Sequence, residues 1–200
     1  MGLPAQETYM TVEEYLAFEQ QSPTRYEYVD GSIYAMTGAS KNHARLSGNI
    51  ASRLHAFLEG KSCESYQTEV KVKASATRYY YPDVAVTCEA AAEDPEDPYL
   101  IVQPILLVEV LSPSTQRTDK VEKFNTYLQI PGLLEYVIVA QEEMKVEIYR
   151  HRKAGDPWQG EVFTELTEQI TFESIGLSLT LADIYRRVTF PATSKGEEAQ

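Results

Sequence analysis

Hydrophobic positions along this chain change period several times, and each change marks an element. Over 41–59, Leu46, Ile50, Leu54, Phe57 and Leu58 recur at helical spacing, with Ser40 placed to cap the start and Gly60 to end it. A shorter amphipathic helix is predicted over 11–20, opened by Thr11 and Glu14 at the spacing of a capping box. Between them, RYEYV and SIYAM read as two strands joined by an Asp30-Gly31 turn. The alternating run ESYQTEVKVKA and the following YYYPDVAVT predict a strand pair that turns near Ala76-Thr77-Arg78, and AAEDPEDPY reads as a loop. PILLVEVL is continuously apolar, as in a strand covered on both faces. A helix is predicted over roughly 117–129, closed by Pro131-Gly132. Strands EYVIVA and MKVEIYRH follow, then another near 161–166 and a short helix in LTLADIYRRV, where Thr180 and Asp183 again have capping-box spacing.

This order predicts an α/β (α+β-like) fold on a mixed sheet. With 200 residues, of which 43% are hydrophobic and 24% charged, one domain with a substantial core is expected. We assign it to 1–190, with the small polar tail from Pro191 frayed. The first residues, MGLPAQET, lack the basic-then-apolar pattern of a secretory signal, and no apolar run nears the roughly 20 residues that span a bilayer. Cys63 and Cys88 have no CxxC or framework spacing, so two ordinary reduced thiols in a cytoplasmic protein are expected.

The net charge of −12 argues against a general nucleic-acid binder. Its distribution is uneven. Residues 41–78 carry seven basic side chains (Lys41, Arg45, Arg53, Lys61, Lys71, Lys73, Arg78) against Glu59, Glu64 and Glu69, a local +4. Any polyanion would meet that segment, although a mixed solvated surface is the simpler reading of charge alone.

Two acids interrupt apolar runs: Asp83 in YYYPDVAVT and Glu109 in PILLVEVLS. A buried carboxylate without a partner is costly, so such residues find cations, metals or strong donors. By the pleat, Asp83 shares a face with Ala85 and Thr87, and Glu109 with Leu107 and Leu111. Either acid alone is most simply a strand-end residue, solvated or paired to Lys or Arg. Taken together, with Pro82 marking a strand entry and Ser112-Pro113 an exit, they point to one shared divalent ion, Mg²⁺ or Mn²⁺. On the following helix Asp119, Lys123 and Tyr127 line one face. Spacing leaves open whether Lys123 reaches back to this site or forms a surface pair with Asp119.

The ordered set RYEYVDG, the helix bearing His43, YPDV, LLVEVLSPST with D-x-x-x-K and a nearby Tyr, and GLLEYVIV resembles a bacterial family of restriction-endonuclease-like proteins called Uma-two, within the PD-(D/E)xK nuclease superfamily. The similarity runs from about Tyr9 to about Tyr149. It implies a restriction-endonuclease-like central mixed sheet flanked by helices, with a metal site at the strand ends. It makes Asp83 the PD aspartate and Glu109 the second acid. The Val110 carbonyl becomes a further metal ligand, and Glu27 the acid supplied from near the N-terminus. Leu111 stands where the superfamily's E-x-K lysine would be, and Lys123 fits a lysine moved to the next helix. Val137 and Ala140 stand where Trp and Asp are common.

The activity implied is Mg²⁺-dependent (or Mn²⁺-dependent) cleavage of DNA phosphodiester bonds. In it Lys123 assists at the attacking water or the developing anion. His43 reads equally as a core or cap histidine and as a group near the phosphate. Ser112, with Ser114 and Thr115, could contact phosphate, although a loop and capping role is simpler. The tyrosines, including Tyr79–Tyr81, fit core packing and a homodimer surface better than base stacking. Two alternatives remain: a nuclease-fold protein that binds without catalysis, and a metal-dependent hydrolase of a small phosphorylated substrate.

Overall fold

In a computed structural model, the described residues are 9–88, 93–94, 97–111, 118–151 and 156–190. Helix α1 (Val12–Gln21) opens on the expected capping box, in which Thr11 Oγ1 accepts the Glu14 amide and Glu14 returns a carboxylate to the Thr11 amide. Strands β1 (Tyr26–Val29) and β2 (Ser32–Ala35) form the hairpin. Its turn residues Asp30 and Gly31 both take positive φ, as a two-residue turn matched to strand twist requires. Helix α2 (Lys41–Leu58) has Ser40 as N-cap, and Gly60 follows its end in the left-handed region.

Six strands follow: β3 (Cys63–Gln67), β4 (Lys71–Ser75), β5 (Arg78–Tyr80), β6 (Val84–Cys88), β7 (Glu93–Asp94) and β8 (Asp97–Ile101). Then come β9 (Pro104–Leu111), α3 (Thr118–Tyr127), β10 (Glu135–Ala140), β11 (Val146–Arg150) and β12 (Gln159–Phe163). The hairpin β13 (Gln169–Phe172) and β14 (Leu177–Thr180) leads into α4 (Leu181–Ile184), which Thr180 and Asp183 cap as expected.

Two six-stranded sheets result, ordered β2-β1-β5-β4-β8-β7 and β12-β11-β10-β9-β6-β3. The second is the expected central mixed sheet: β9 and β10 run parallel, and its other neighbouring strands run antiparallel. One face, bearing Val84, Val86, Leu106, Val108 and Val110, packs under Leu46, Ile50 and Leu54 of α2. The opposite face, bearing Ala85, Leu107, Tyr136 and Ile138, packs under Tyr127 of α3. This two-sided cover is why PILLVEVL is apolar without alternation.

The predicted strand pair forms, as β4 with β5 and β3 with β6, but it is divided between the two sheets. ESYQTEVKVKA and YYYPDVAVT each cross from one sheet to the other. The first crossing passes through Thr68, which holds a positive φ. The second passes through Pro82, which has no amide to contribute to a ladder. The crossings touch, because the Thr68 amide donates to the Asp83 carbonyl at 3.3 Å. The loop prediction for AAEDPEDPY is corrected, since Asp97–Ile101 forms β8 and pairs in parallel with β4.

The cysteine reading is overturned too. Cys63 and Cys88 lie directly opposite on β3 and β6 and are joined in a disulfide. Spacing could not reveal this, because strand register rather than sequence brings the pair together. A bonded pair no longer argues for a reducing compartment. With 25 residues separating the cysteines, the bond should stabilise the fold by about 3 kcal/mol. Reduction is therefore expected to lower the melting temperature by several degrees. Two titratable thiols in the native, unreduced protein would contradict the bond.

No helix among the described residues is long and apolar enough to cross a membrane. The tail from Pro191 lies outside the described residues.

Candidate active site

Asp83 and Glu109 meet where the two sheets join. The antiparallel register of β6 and β9 pairs Val84 with Val108, so Asp83 lies one step further along, beside Glu109. Both acids are buried. Asp83 is gripped from two sides: its Oδ1 lies 2.6 Å from His43 Nε2 on α2, and its Oδ2 accepts the Val110 amide at 2.7 Å. The N–H and C=O of a strand residue face the same neighbouring strand, so the Val110 carbonyl lies on the edge that faces Asp83.

Glu109 is held from α3. Its Oε1 accepts the Tyr127 hydroxyl at 2.9 Å and Lys123 Nζ at 3.2 Å. Lys123 also donates to Glu27 Oε1 at 2.7 Å, and that oxygen accepts the Tyr81 amide at 3.2 Å. The helical spacing of Lys123 and Tyr127 thus delivers both side chains to one carboxylate. Glu27, on β1 in the other sheet, closes the cluster.

Among the described residues the site carries surplus negative charge: Asp83, Glu109 and Glu27 face a single lysine, leaving a formal excess of two when His43 is neutral. Burial pushes the Glu109 carboxyl up to about 7; Lys123 opposes the shift, while Asp83 and Glu27 add to it. Burial works against charge on Lys123, but Glu109 and Glu27 outweigh it and hold the ammonium well above its usual range. His43 is likewise raised, because the hydrogen bond and charge of Asp83 overcome desolvation. Burial, followed by the Glu109 charge, raises the Tyr127 phenol, which keeps it a hydrogen-bond donor.

Among the described residues, no three His, Cys, Asp or Glu side chains form a ready cage for an ion. The donor set still fits one particular class of ion. Two hard carboxylates, a backbone carbonyl and a negative surplus suit a small divalent cation that keeps several waters, as Mg²⁺ does. They do not suit zinc, which favours nitrogen and sulfur ligands.

Of the residues singled out in the sequence, Asp83, Glu109, Val110, Lys123, Glu27 and His43 come together, while Ser112, Ser114 and Thr115 lie outside the described residues. Tyr79, Tyr80 and Tyr81 are buried, which rules out base stacking for them and agrees with core packing. Three of the seven basic side chains of 41–78 are paired within the fold. Arg53 pairs with Asp183, Arg78 with Asp30, and Lys71 is buried between Glu19 and Asp97. Sequence reading missed that second charged cluster. Its one visible signal was Lys71 flanked by Val70 and Val72 in a strand-like run.

A family model described as "Putative restriction endonuclease" (Uma2) matches residues 12–182. Two uncharacterized proteins of Synechocystis sp. are similar. One is 36% identical over 182 residues, covering 90% of this chain and 94% of the relative. The other is 34% identical over 148 residues, covering 74% and 82%. Among solved structures, a "putative nuclease belonging to DUF820" from Anabaena variabilis superposes with a TM-score of 0.73 at 18% identity, covering 88% of this chain and 97% of the other. That likeness shows a shared fold. With the family match spanning most of its length, the chain belongs to the Uma2 family of restriction-endonuclease-like proteins.

Proposed function

We propose that this protein is a Mg²⁺- or Mn²⁺-dependent endonuclease that hydrolyses phosphodiester bonds in DNA. The observation that carries this reading is the convergence of Asp83 and Glu109 from neighbouring strands with Lys123 from the following helix. Asp83, Glu109 and the Val110 carbonyl would hold the ion. When bound, it would lower the pKa of a water and offset charge on the scissile phosphate.

The chain's own groups prepare that step. His43 and the Val110 amide fix the Asp83 rotamer, and Tyr127 fixes Glu109. An ammonium has three N–H donors. Lys123 gives one to Glu27 and one to Glu109, which leaves one for the attacking water or a phosphate oxygen. Glu27 holds the lysine in place and stands ready to position a further water.

The test is Mn²⁺ binding by calorimetry for wild type, Asp83→Asn and Glu109→Gln. We expect micromolar-range binding in the wild type and a loss of at least about tenfold in each variant. Binding indifferent to both changes would refute the shared site. A second reading, hydrolysis of a small phosphorylated substrate, is favoured by the internal pairing of Arg53, Lys71 and Arg78. Metal-dependent nicking of plasmid DNA, against turnover of a nitrophenyl phosphate alone, separates the two.

A further inference from the structure

One buried polar residue that touches none of the site's carboxylates is linked to them through α2. Gln141 follows β10 directly and is buried, although its side chain is polar. Its Oε1 accepts the Ser40 hydroxyl at 2.6 Å, a contact between residues 101 positions apart. The same Ser40 oxygen accepts the His43 amide at 3.1 Å as the N-cap of α2. A hydroxyl has one donor and two acceptor positions, so both bonds form together and each orients the other. His43 then reaches Asp83 Oδ1 at 2.6 Å. Gln141, Ser40, His43 and Asp83 are therefore linked in turn, by hydrogen bonds at the Ser40 hydroxyl and then through the His43 backbone and ring, from the end of β10 to the carboxylate beside β6.

We infer that Gln141 is a positioning residue: through Ser40 it sets the first turn of α2 so that the His43 ring holds the Asp83 carboxylate in its working rotamer. The inference rests on the reading of Asp83 as a site carboxylate. A capped helix alone needs no such contact, because Ser40 satisfies the His43 amide whether or not its own hydrogen has a partner. What the Gln141 bond adds is direction. It ties the first turn of α2 to the strand β10, which lies in register beside the Glu109-bearing β9. Asn42, whose side-chain amide donates to the Thr189 carbonyl at 2.7 Å, tethers the same turn on another side. Losing Gln141 should therefore shift the turn rather than unravel it.

The experiment reads the imidazole resonances of the three histidines by nuclear magnetic resonance in metal-free protein, with His43 assigned from a His43→Gln variant. Gln141→Leu removes the acceptor but keeps the cap. Ser40→Ala removes both, and Ser40→Thr retains both. We expect the His43 ring signal to move in Gln141→Leu and Ser40→Ala and to stay in place in Ser40→Thr. Mn²⁺ affinity should fall about tenfold in the first two. If Gln141→Leu does not fold, Gln141→Asn, which withdraws the amide by one methylene, reads the same contact. A His43 signal unmoved in the Gln141 variant overturns the inference. A shifted signal in a protein whose wild type binds no Mn²⁺ keeps the positional link from Gln141 to Asp83 and refutes the metal reading on which its working role rests.

Discussion

Replacing Lys123 with methionine is expected to slow DNA cleavage about a thousandfold while Mn²⁺ still binds. Among the described residues Lys123 is the one lysine of the cluster, its ammonium held 2.7 Å from Glu27 and 3.2 Å from Glu109. Methionine keeps most of the stem volume and removes the charge and all three donors. Deleting one well-placed donor to a developing anion costs about 10²–10³ in rate, and loss of the charge adds to this. The change also strips the counter-charge from two carboxylates, so the metal-free variant should lose roughly 3 kcal/mol of stability. Added Mn²⁺ should restore part of that loss through linkage. Single-turnover plasmid cleavage at saturating Mn²⁺ checks the first point, and thermal melts with and without the ion check the second. A full cleavage rate in this variant would reduce Lys123 to a structural ion pair.

The largest stability effect is expected at Lys71, away from the site. Its side chain is fully buried, with Nζ 3.3 Å from Glu19 Oε2 and 2.9 Å from Asp97 Oδ2. The Asp97 contact is close but poorly aligned as a hydrogen bond, so its attraction is mainly Coulombic. Glu19 has other partners, Arg25 at 3.3 Å and the Tyr81 hydroxyl, whereas Lys71 is the cation shared by both acids. Lys71→Met would leave Asp97 without its counter-charge in the interior, at a cost of about 3–5 kcal/mol. For a chain of this size that lowers the melting temperature by roughly 10 °C. Adding Asp97→Asn should recover much of the loss, because the uncompensated charge leaves with it. A single variant as stable as the wild type would mean that the acids find protons or water in place of the lysine.

Local chemistry was readable in the sequence because its causes are local. Both capping boxes, the Asp30-Gly31 turn, the Ser40 cap and the apolar stripe of α2 each depend on residues within a turn or two of one another. The acids Asp83 and Glu109 stood out because each interrupts an apolar strand, and Lys123 because it shares a helix face with Tyr127. What escaped notice depends on distant partners. The sheet crossings at Thr68 and Pro82 fall inside runs whose alternation continues, so periodicity alone could not divide them. Strand β8 begins with an Asp-Pro pair that reads as loop until β4 is beside it. The β13–β14 hairpin is joined by the four residues 173–176 and not by a two-residue Asp-Gly turn, so it lacked the signal that marked β1–β2. Glu27 was identified through resemblance alone, and the Gln141–Ser40 contact joins residues 101 positions apart.

The two chain crossings give the molecule a built-in gauge. Glu27 belongs to the first sheet, whereas Glu109 belongs to the second. The Lys123 ammonium bridges them, close to the crossing where Thr68 grips the Asp83 carbonyl. Any rocking of one sheet against the other must therefore stretch or compress the space between these two carboxylates. The position of the Lys123 ammonium and the angle between the sheets thereby become one mechanical variable, so a substitution that wedges the sheets apart at a distance should be felt as a change in the contact of Lys123 with Glu27 or Glu109.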